Sequence, residues 1–181
     1  MKKIISDLYS LFFYLLNRRR EVHISRNIHF GKPCRITGDG YVSIGSNCKI
    51  GVRSIPSVTR SRNILNARKG AKIIIGDNCV IASAILIISE GFIEIGNDVI
   101  IGSNVKIYDS DFHNLSKTEN YKRQGKVSIG SNVFIGDNVV ITKGTTIGDN
   151  VIIGIGSVVT RDVPSYHLAY GNPVVIKPYT A

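Results

Sequence analysis

One polar segment of the chain holds residue types that acid–base chemistry uses. Residues 108–125, YDSDFHNLSKTENYKRQG, contain His113, with Asp109 and Asp111 shortly before it. Histidine accepts and returns a proton near neutral pH, and a carboxylate or a backbone carbonyl can orient its ring. Asp111 is the favoured orienting partner and Asp109 a less favoured one. The segment is a candidate site for proton transfer, although His113 taken alone is equally well interpreted as a surface residue.

The sequence after this segment repeats every six residues. Six is a multiple of the two-residue strand period and not of the 3.6-residue helix period, so the repeat predicts short strands. A small inward residue stands two places before each large one, and glycine or asparagine follows at the bends. The large inward positions are Ile129, Ile135, Ile141, Ile147, Ile153 and Val159, and the small ones are Val127, Val133, Val139, Thr145, Val151 and Ser157.

A chain that turns the same way at every bend winds into a coil. Two inward side chains on each side are buried only when the next coil stacks on them, with backbone hydrogen bonds between coils about 4.8 Å apart. The same register recurs upstream, and it slips between Ile50 and Ile75, between Ile87 and Ile95, and between Ile107 and Ile129. The pattern predicts an all-β solenoid with bulges or loops at the slips, one of which is the segment that contains His113.

The two ends of the chain differ from the repeats. Residues 4–16 have helical spacing of apolar residues and precede NRRR, so residues 1–27 are predicted as an amphipathic helix with a basic linker. The helix is too short for a transmembrane anchor, and no signal-peptide cleavage site follows it. It either caps the solenoid or packs in an oligomer, or residues 4–20 contact the membrane surface. Residues 164–181 are predicted as an irregular tail that closes the last coil.

Composition limits the classes of partner. The 181 residues, 43% of them hydrophobic, suffice for one domain, and the net charge is +10. No nucleic-acid-binding motif accompanies this charge, so a solvated surface, an anionic membrane or a phosphate-bearing small molecule remain as explanations. Cys48 and Cys79 occupy small inward positions, which favours core packing in a reducing compartment. The basic residues cluster at Arg18, Arg19, Arg20, Arg53, Arg60, Arg62, Arg68 and Lys69.

The Ile-Gly-x-Asn hexads, the segment GIGSVVTRDVPSYHLAYGNP and the histidine-bearing loop resemble the hexapeptide-repeat acyltransferases over residues 28–178. The resemblance is strongest to the maltose and galactoside O-acetyltransferases and to polysaccharide O-acetyltransferases. It implies a left-handed parallel β-helix over residues 28–163, with about eighteen residues per coil. It also implies acetyl-CoA as acyl donor, no metal, and a homotrimer with active sites between subunits.

The resemblance assigns roles to individual positions. His113 corresponds to the catalytic histidine, with Asp111 as its candidate orienting partner, and Glu90 to an acceptor-binding carboxylate. Ala82 stands where the sugar-binding members have asparagine, which argues against the same sugar. The positions that correspond to the coenzyme A site are Phe134, Asp137, Ile155, Gly156, Ser157, Thr160 and Arg161. The family has a basic residue where this chain has Val175, and nearby Lys177 could serve the cofactor phosphates instead.

These observations predict a cytoplasmic acetyl-CoA-dependent O-acetyltransferase that modifies a sugar or glycan precursor and has no nucleic-acid partner. An N-acetyltransferase of an amino sugar nucleotide remains an alternative. A γ-type carbonic anhydrase needs three histidines at one metal ion, whereas only His113 lies among the regular coils. A non-catalytic solenoid would not need the polar loop, and it would favour threonine-rich faces over lysine and arginine.

Overall fold

The computed structural model describes residues 21–52, 62–113 and 124–179. These residues form twenty short strands. They are β1 (Val22–Ile24), β2 (His29–Phe30), β3 (Cys34–Thr37), β4 (Tyr41–Ile44), β5 (Lys49–Ile50), β6 (Asn63–Ala67), β7 (Lys72–Ile75), β8 (Val80–Ile81), β9 (Leu86–Ser89), β10 (Phe92–Ile95), β11 (Ile100–Ile101), β12 (Lys106–Tyr108), β13 (Lys126–Ile129), β14 (Phe134–Ile135), β15 (Val140–Ile141), β16 (Thr146–Ile147), β17 (Ile152–Ile153), β18 (Val158–Val159), β19 (His167–Tyr170) and β20 (Val175–Pro178).

The strands form three sheets, one along each side of the coil. Sheet A has the order β1-β4-β7-β10-β13-β16, sheet B has β2-β5-β8-β11-β14-β17-β19-β20, and sheet C has β3-β6-β9-β12-β15-β18. From β1 to β19, successive strands of the chain thus enter different sheets, and each strand pairs with a strand one coil away. The pairing is parallel except between β19 and β20. The fold is the predicted left-handed parallel β-helix.

The register gives the length of each coil. In sheet A, Ile129 lies opposite Ile147, which is 18 residues away in the chain. Ile95 lies opposite Ile129, 34 residues away, and Ile44 opposite Ile75, 31 residues away. The two long coils coincide with two of the predicted slips, so those slips are insertions into an otherwise regular coil.

The core is a column of inward side chains between the sheets. Every large and small inward position predicted between residues 127 and 159 is at most 2% exposed. Cys48 and Cys79 are also fully buried, as predicted, and the thiols of Cys34, Cys48 and Cys79 are free. Burial raises the pKa of Cys34 to about 12, because the thiolate would lose its hydration.

The corner between sheets A and B is held by a ladder of side chains. Its residues have positive φ, which asparagine and aspartate tolerate better than most residues. Side-chain amides donate to the next coil from Asn47 to Asn78 at 3.3 Å, from Asn78 to Asp98 at 3.0 Å and from Asn132 to Asn150 at 2.6 Å. The ladder fixes the rise between coils at this corner.

The structure describes the C-terminal end of the chain but not the predicted N-terminal helix. The predicted helix at residues 4–16 lies outside the described residues. The tail closes the last coil as predicted, but it contains two strands where an irregular chain was expected: β19 adds to sheet B beside β17, and β20 returns antiparallel to it. Among the described residues no helix has the length and apolar character that crossing a bilayer requires.

Candidate active site

The corner that joins sheet C to sheet A, here called the C–A corner, carries the predicted catalytic loop. The backbone N–H of Gly125 donates to the carbonyl of Asp109 at 2.7 Å. Ser110 and Gln124 form an antiparallel bridge directly outside this bond. The chain therefore leaves the coil after Ser110 and returns at Gln124. Residues 114–123 of the predicted loop lie outside the described residues.

The carboxylate of Asp109 is fully buried at the base of this loop. One of its oxygens accepts the Ser89 hydroxyl at 2.6 Å and the Gly91 N–H at 2.9 Å, and the other accepts the Glu90 N–H at 2.8 Å. All three donors belong to the C–A corner of the preceding coil. The structure thus engages Asp109 in holding two coils together, whereas the sequence suggested it as a less favoured orienting partner for His113.

Glu90 lies at the same corner and is largely enclosed, with 7% of its side chain exposed. Its carboxylate accepts the Ser110 hydroxyl at 2.6 Å and pairs with the Arg68 guanidinium at 3.3 Å. The Ser110 oxygen in turn accepts the backbone N–H of Phe112 at 2.9 Å. A carboxylate held by two such partners has a fixed orientation. Glu90 is therefore connected directly to the loop that carries His113.

An aromatic pair borders this carboxylate. The Arg68 guanidinium lies over the ring of Phe112, 5.3 Å from its centroid, and Tyr108 meets Phe112 edge to face with the centroids 5.7 Å apart. Burial raises the pKa of the Tyr108 phenol, because the phenolate would be desolvated. Beside Glu90 the corner thus presents an aromatic surface and the half-exposed guanidinium of Arg68.

His113 is exposed at the outer end of this arrangement. It follows Phe112, whose φ of 60° turns the chain sharply as the loop begins. Asp111, the predicted orienting partner, forms an ion pair with Lys143 at the C–A corner of the next coil. The loop base is thereby attached to the preceding coil through Asp109 and Glu90 and to the following coil through Asp111.

The predicted coenzyme A positions fall in two places. One group lies on sheet B and at the corner between sheets B and C. Here Phe134 and Ile155 are 46% and 70% exposed, and Asp137 accepts the N–H of Ser103 at 2.6 Å and, through its carbonyl, the N–H of Gly156 at 2.8 Å. The exposed apolar side chains could contact the apolar part of a ligand on this face.

The remaining predicted positions are near the C-terminal end. The Ser157 side chain is buried, where its hydroxyl donates to the Gly154 carbonyl at 2.6 Å, so only its backbone could meet a ligand. Thr160 and Arg161 are exposed at the C–A corner, where the Arg161 guanidinium donates to the Val174 carbonyl at 2.9 Å. Lys177 is exposed on β20, its ammonium 5.9 Å from the centroid of the Tyr170 ring.

Sequence reasoning missed four members of the C–A corner. Ser89, Ser110 and Lys143 received no role, and Arg68 was counted only among the basic residues. A signal did exist, because each of them lies next to a register slip or within two residues of the end of a sheet C strand. No group of three or more histidine, cysteine, aspartate or glutamate side chains suited to a metal ion occurs within residues 21–52, 62–113 and 124–179.

The sequence has matches among known protein families and proteins. The family described as bacterial transferase hexapeptide (six repeats) matches residues 126–161, and the hexapeptide repeat of succinyl-transferase matches residues 41–59. Polysialic acid O-acetyltransferase of Escherichia coli O1:K1 / APEC is 37% identical over 140 residues, which are 75% of this chain and 42% of that protein. Galactoside O-acetyltransferase of Escherichia coli K12 is 37% identical over 106 residues, 58% of this chain and 52% of that protein.

The fold also matches a solved structure. The crystal structure of the polySia-specific acetyltransferase NeuO aligns with a TM-score of 0.75 and 30% identity, covering 87% of this chain and 65% of NeuO. The chain spans between 29% and 52% of the length of the curated relatives described here and of their Staphylococcus aureus counterparts. The chain therefore carries the repeat, the left-handed β-helix and the sequence similarity of the hexapeptide-repeat acyltransferase superfamily.

Proposed function

We propose that this protein is an acetyl-CoA-dependent O-acetyltransferase that acts on a hydroxyl of a sugar or glycan precursor. The observation that carries the proposal is the position of His113, exposed on a loop whose base is fixed by Asp109, Glu90 and Lys143. A base for hydroxyl deprotonation must be reachable by the acceptor and held in place. The similarity to two O-acetyltransferases supports the same chemistry.

In this proposal His113 performs the proton transfers. One ring nitrogen takes the proton of the acceptor hydroxyl while the oxygen attacks the acyl carbonyl carbon. The new C–O bond forms, the C–S bond breaks, and His113 returns the proton to the departing sulfur. The thioester supplies the activated acyl group. Backbone N–H groups at the register slips are candidates to stabilise the oxyanion.

The arrangement of the two groups of predicted residues supports a trimer. His113 lies at the C–A corner, whereas Phe134 lies on sheet B, and the strands of sheet C separate these two positions in each coil. One chain alone therefore does not bring them together. A threefold arrangement in which the C–A corner of one copy lies beside sheet B of its neighbour would bring them together. Light scattering that gives a monomer at micromolar concentration would count against a shared site.

Charge and exposure are consistent with acetyl-CoA as the donor. Phe134 and Ile155 offer apolar contact for the acyl and pantetheine part. Arg161 and Lys177 are exposed cations near the C-terminal end, where they could meet phosphates. The net charge of +10 favours association with an anionic cofactor.

We further propose a cytoplasmic location, which the buried free thiols support because a reducing compartment keeps cysteines unpaired. Residues 4–20 would either cap the solenoid or contact the inner face of the membrane. Deleting residues 1–20 separates these alternatives. Unchanged membrane association of the deleted protein would exclude the second.

A screen of acceptors tests the activity directly. Release of free coenzyme A would be followed with acetyl-CoA and a panel of sugars, glycan precursors, nucleotide sugars and amino sugars. An acetyl group that mild alkali removes is an ester and supports O-acetylation, whereas an alkali-stable product identifies the N-acetyltransferase alternative. No acceptor-dependent release over the whole panel would contradict both.

A further inference from the structure

We infer that Asp109 is a positioning residue of the transfer reaction, and that its carboxylate sets where Glu90 and the His113 loop stand relative to each other. This inference rests on the function proposed above. Asp109 does not need to touch substrate for this role. It acts through the two segments that it joins.

The carboxylate of Asp109 is buried, and both of its oxygens are engaged in hydrogen bonds. Asp109 is fully buried, and its two oxygens accept three hydrogen bonds from consecutive residues, Ser89, Glu90 and Gly91. An isolated buried carboxylate is costly, so it is kept only where such bonds compensate for the lost hydration. The three donors fix both the position and the plane of the group.

The main chain of Asp109 holds the returning end of the loop. Its carbonyl accepts the N–H of Gly125, the residue that directly follows the return of the chain at Gln124. The same residue therefore binds the preceding coil through its side chain and the returning end of the loop through its backbone. A Cβ atom at Gly91 would lie 3.2 Å from the Gly125 carbonyl oxygen and 3.5 Å from an Asp109 oxygen, which shows how closely the two segments approach.

Asp109 is connected through Glu90 to the segment that carries His113. Because the Glu90 N–H is bound to Asp109, the start of the Glu90 side chain is fixed, and its carboxylate then accepts the Ser110 hydroxyl. Ser110 also accepts the N–H of Phe112, the residue before His113. One hydrogen-bonded route thus leads from the Asp109 side chain through Glu90 to the exit of the loop, and a second leads from the Asp109 carbonyl to the return of the loop at Gly125. A displacement of about 1 Å at a reacting group costs roughly 100-fold in rate.

Replacement by asparagine tests the carboxylate with little change in shape. An amide offers one acceptor oxygen and one NH2 group. In Asp109→Asn the NH2 group would therefore face hydrogen-bond donors of residues 89–91, and at least one of these donors would lose its acceptor. We expect turnover to fall about 100-fold while the Michaelis constant for acetyl-CoA stays within about twofold. Ser89→Ala removes one of the three hydrogen bonds to Asp109. We expect its turnover to fall about fivefold, which corresponds to the net free energy of one hydrogen bond.

Asp149→Asn is the matched control. Asp149 also caps a bend, accepting the Ser131 N–H at 2.7 Å, but at the corner between sheets A and B. We expect its turnover to match the wild type even if its thermal midpoint falls. Amide hydrogen exchange at Glu90, Gly91 and Gly125 should accelerate in Asp109→Asn and not in the control.

The outcomes separate this inference from the proposed function. If His113→Ala is inactive but folded Asp109→Asn keeps turnover within twofold of wild type, the positioning role is wrong and the proposed function stands. If Asp109→Asn does not fold, unchanged turnover in Ser89→Ala overturns the inference instead. If the wild type transfers no acyl group to any acceptor, the proposed function fails, and the positioning role fails with it.

Discussion

Ser110 and Glu90 stand one coil apart, and the Ser110 hydroxyl donates to the Glu90 carboxylate across 2.6 Å. Both side chains are largely enclosed. This bond joins the last residue before the loop to the C–A corner of the preceding coil. It therefore connects the stability of the β-helix with the geometry of the candidate site.

Ser110→Ala should destabilise the protein measurably. A hydrogen bond to a charged group contributes about 1.5–3 kcal/mol, and the enclosed Glu90 carboxylate would lose one partner. Urea unfolding should show a lower midpoint with an unchanged denaturant slope. Ser128→Ala, on the outward side of sheet A, is the control and should leave the midpoint nearly unchanged. Equal midpoints for both variants would mean that the Ser110 bond contributes little.

His113→Ala should lower turnover by about 10² to 10⁴, the usual contribution of a side-chain base. The Michaelis constant for acetyl-CoA and the thermal midpoint should change little, because His113 is exposed and follows the coil. Asp111→Asn should lower turnover less, since the predicted role of Asp111 is to orient His113 and not to transfer a proton. Steady-state kinetics on a confirmed acceptor measure turnover and the Michaelis constant of both variants, and thermal unfolding measures the midpoint. Near wild-type turnover in His113→Ala would remove the proposed mechanism.

The repeat was predictable because it depends on local chemistry. Each inward position follows from the six-residue period, and each bend from its glycine or asparagine, so the core between Val127 and Val159 agrees with prediction. The register slips also marked the insertions. The inward positions, the bends and the insertions can all be predicted from neighbouring residues, without contacts between residues distant in the sequence.

The network at the C–A corner was less predictable, because its bonds join residues about one coil apart. Asp109 lies 18 to 20 residues from its three donors, and Lys143 lies 32 residues from Asp111. Proximity of the aspartates to His113 in the sequence suggested an orienting role. Stacking of the coils instead gives Asp109 and Asp111 partners in neighbouring coils. Asp111 as an orienting partner of His113 stays a prediction.

Lys177→Ala should raise the Michaelis constant for acetyl-CoA roughly threefold, with a smaller change in turnover, if its ammonium meets a cofactor phosphate. The effect should shrink as salt is added, because ions screen an exposed contact. Arg161→Ala should act in the same direction, although it also releases the Val174 carbonyl of the tail. Lys49→Ala, on β5 of sheet B, is the control. If neither Lys177→Ala nor Arg161→Ala changed the Michaelis constant for acetyl-CoA, the cofactor would have to bind elsewhere.

Thr145→Val should stabilise the protein. Thr145 fills a small inward position, fully buried, and its hydroxyl oxygen has no hydrogen-bond partner. Valine has nearly the same shape and removes the buried polar group, which is worth about 1 kcal/mol. Differential scanning calorimetry should show a higher midpoint. Val127→Thr, at the same position one coil away, should do the reverse, and a rise in both variants would contradict this explanation.

Asp98→Asn should stabilise the protein by completing the ladder at the corner between sheets A and B. Asn78 donates to Asp98 at 3.0 Å, and Asn132 donates to Asn150, but no hydrogen bond joins Asp98 to Asn132, because an ionised carboxylate has no proton to donate. An asparagine at this position keeps the acceptor for Asn78 and adds an NH2 group that can donate to Asn132, the ladder residue of the next coil. Its φ of 56° suits asparagine as well as aspartate.

The expected gain from Asp98→Asn is about 1 kcal/mol, the net value of one hydrogen bond. Urea unfolding at neutral pH measures it. Asp149→Asn is the opposing control at the same corner, because that carboxylate accepts the Ser131 N–H and its replacement weakens a bond that already exists. The stabilisation should therefore be specific to position 98. If Asp98→Asn lowered the midpoint as much as Asp149→Asn does, the carboxylate at position 98 would be holding the bend in a way that an amide cannot replace.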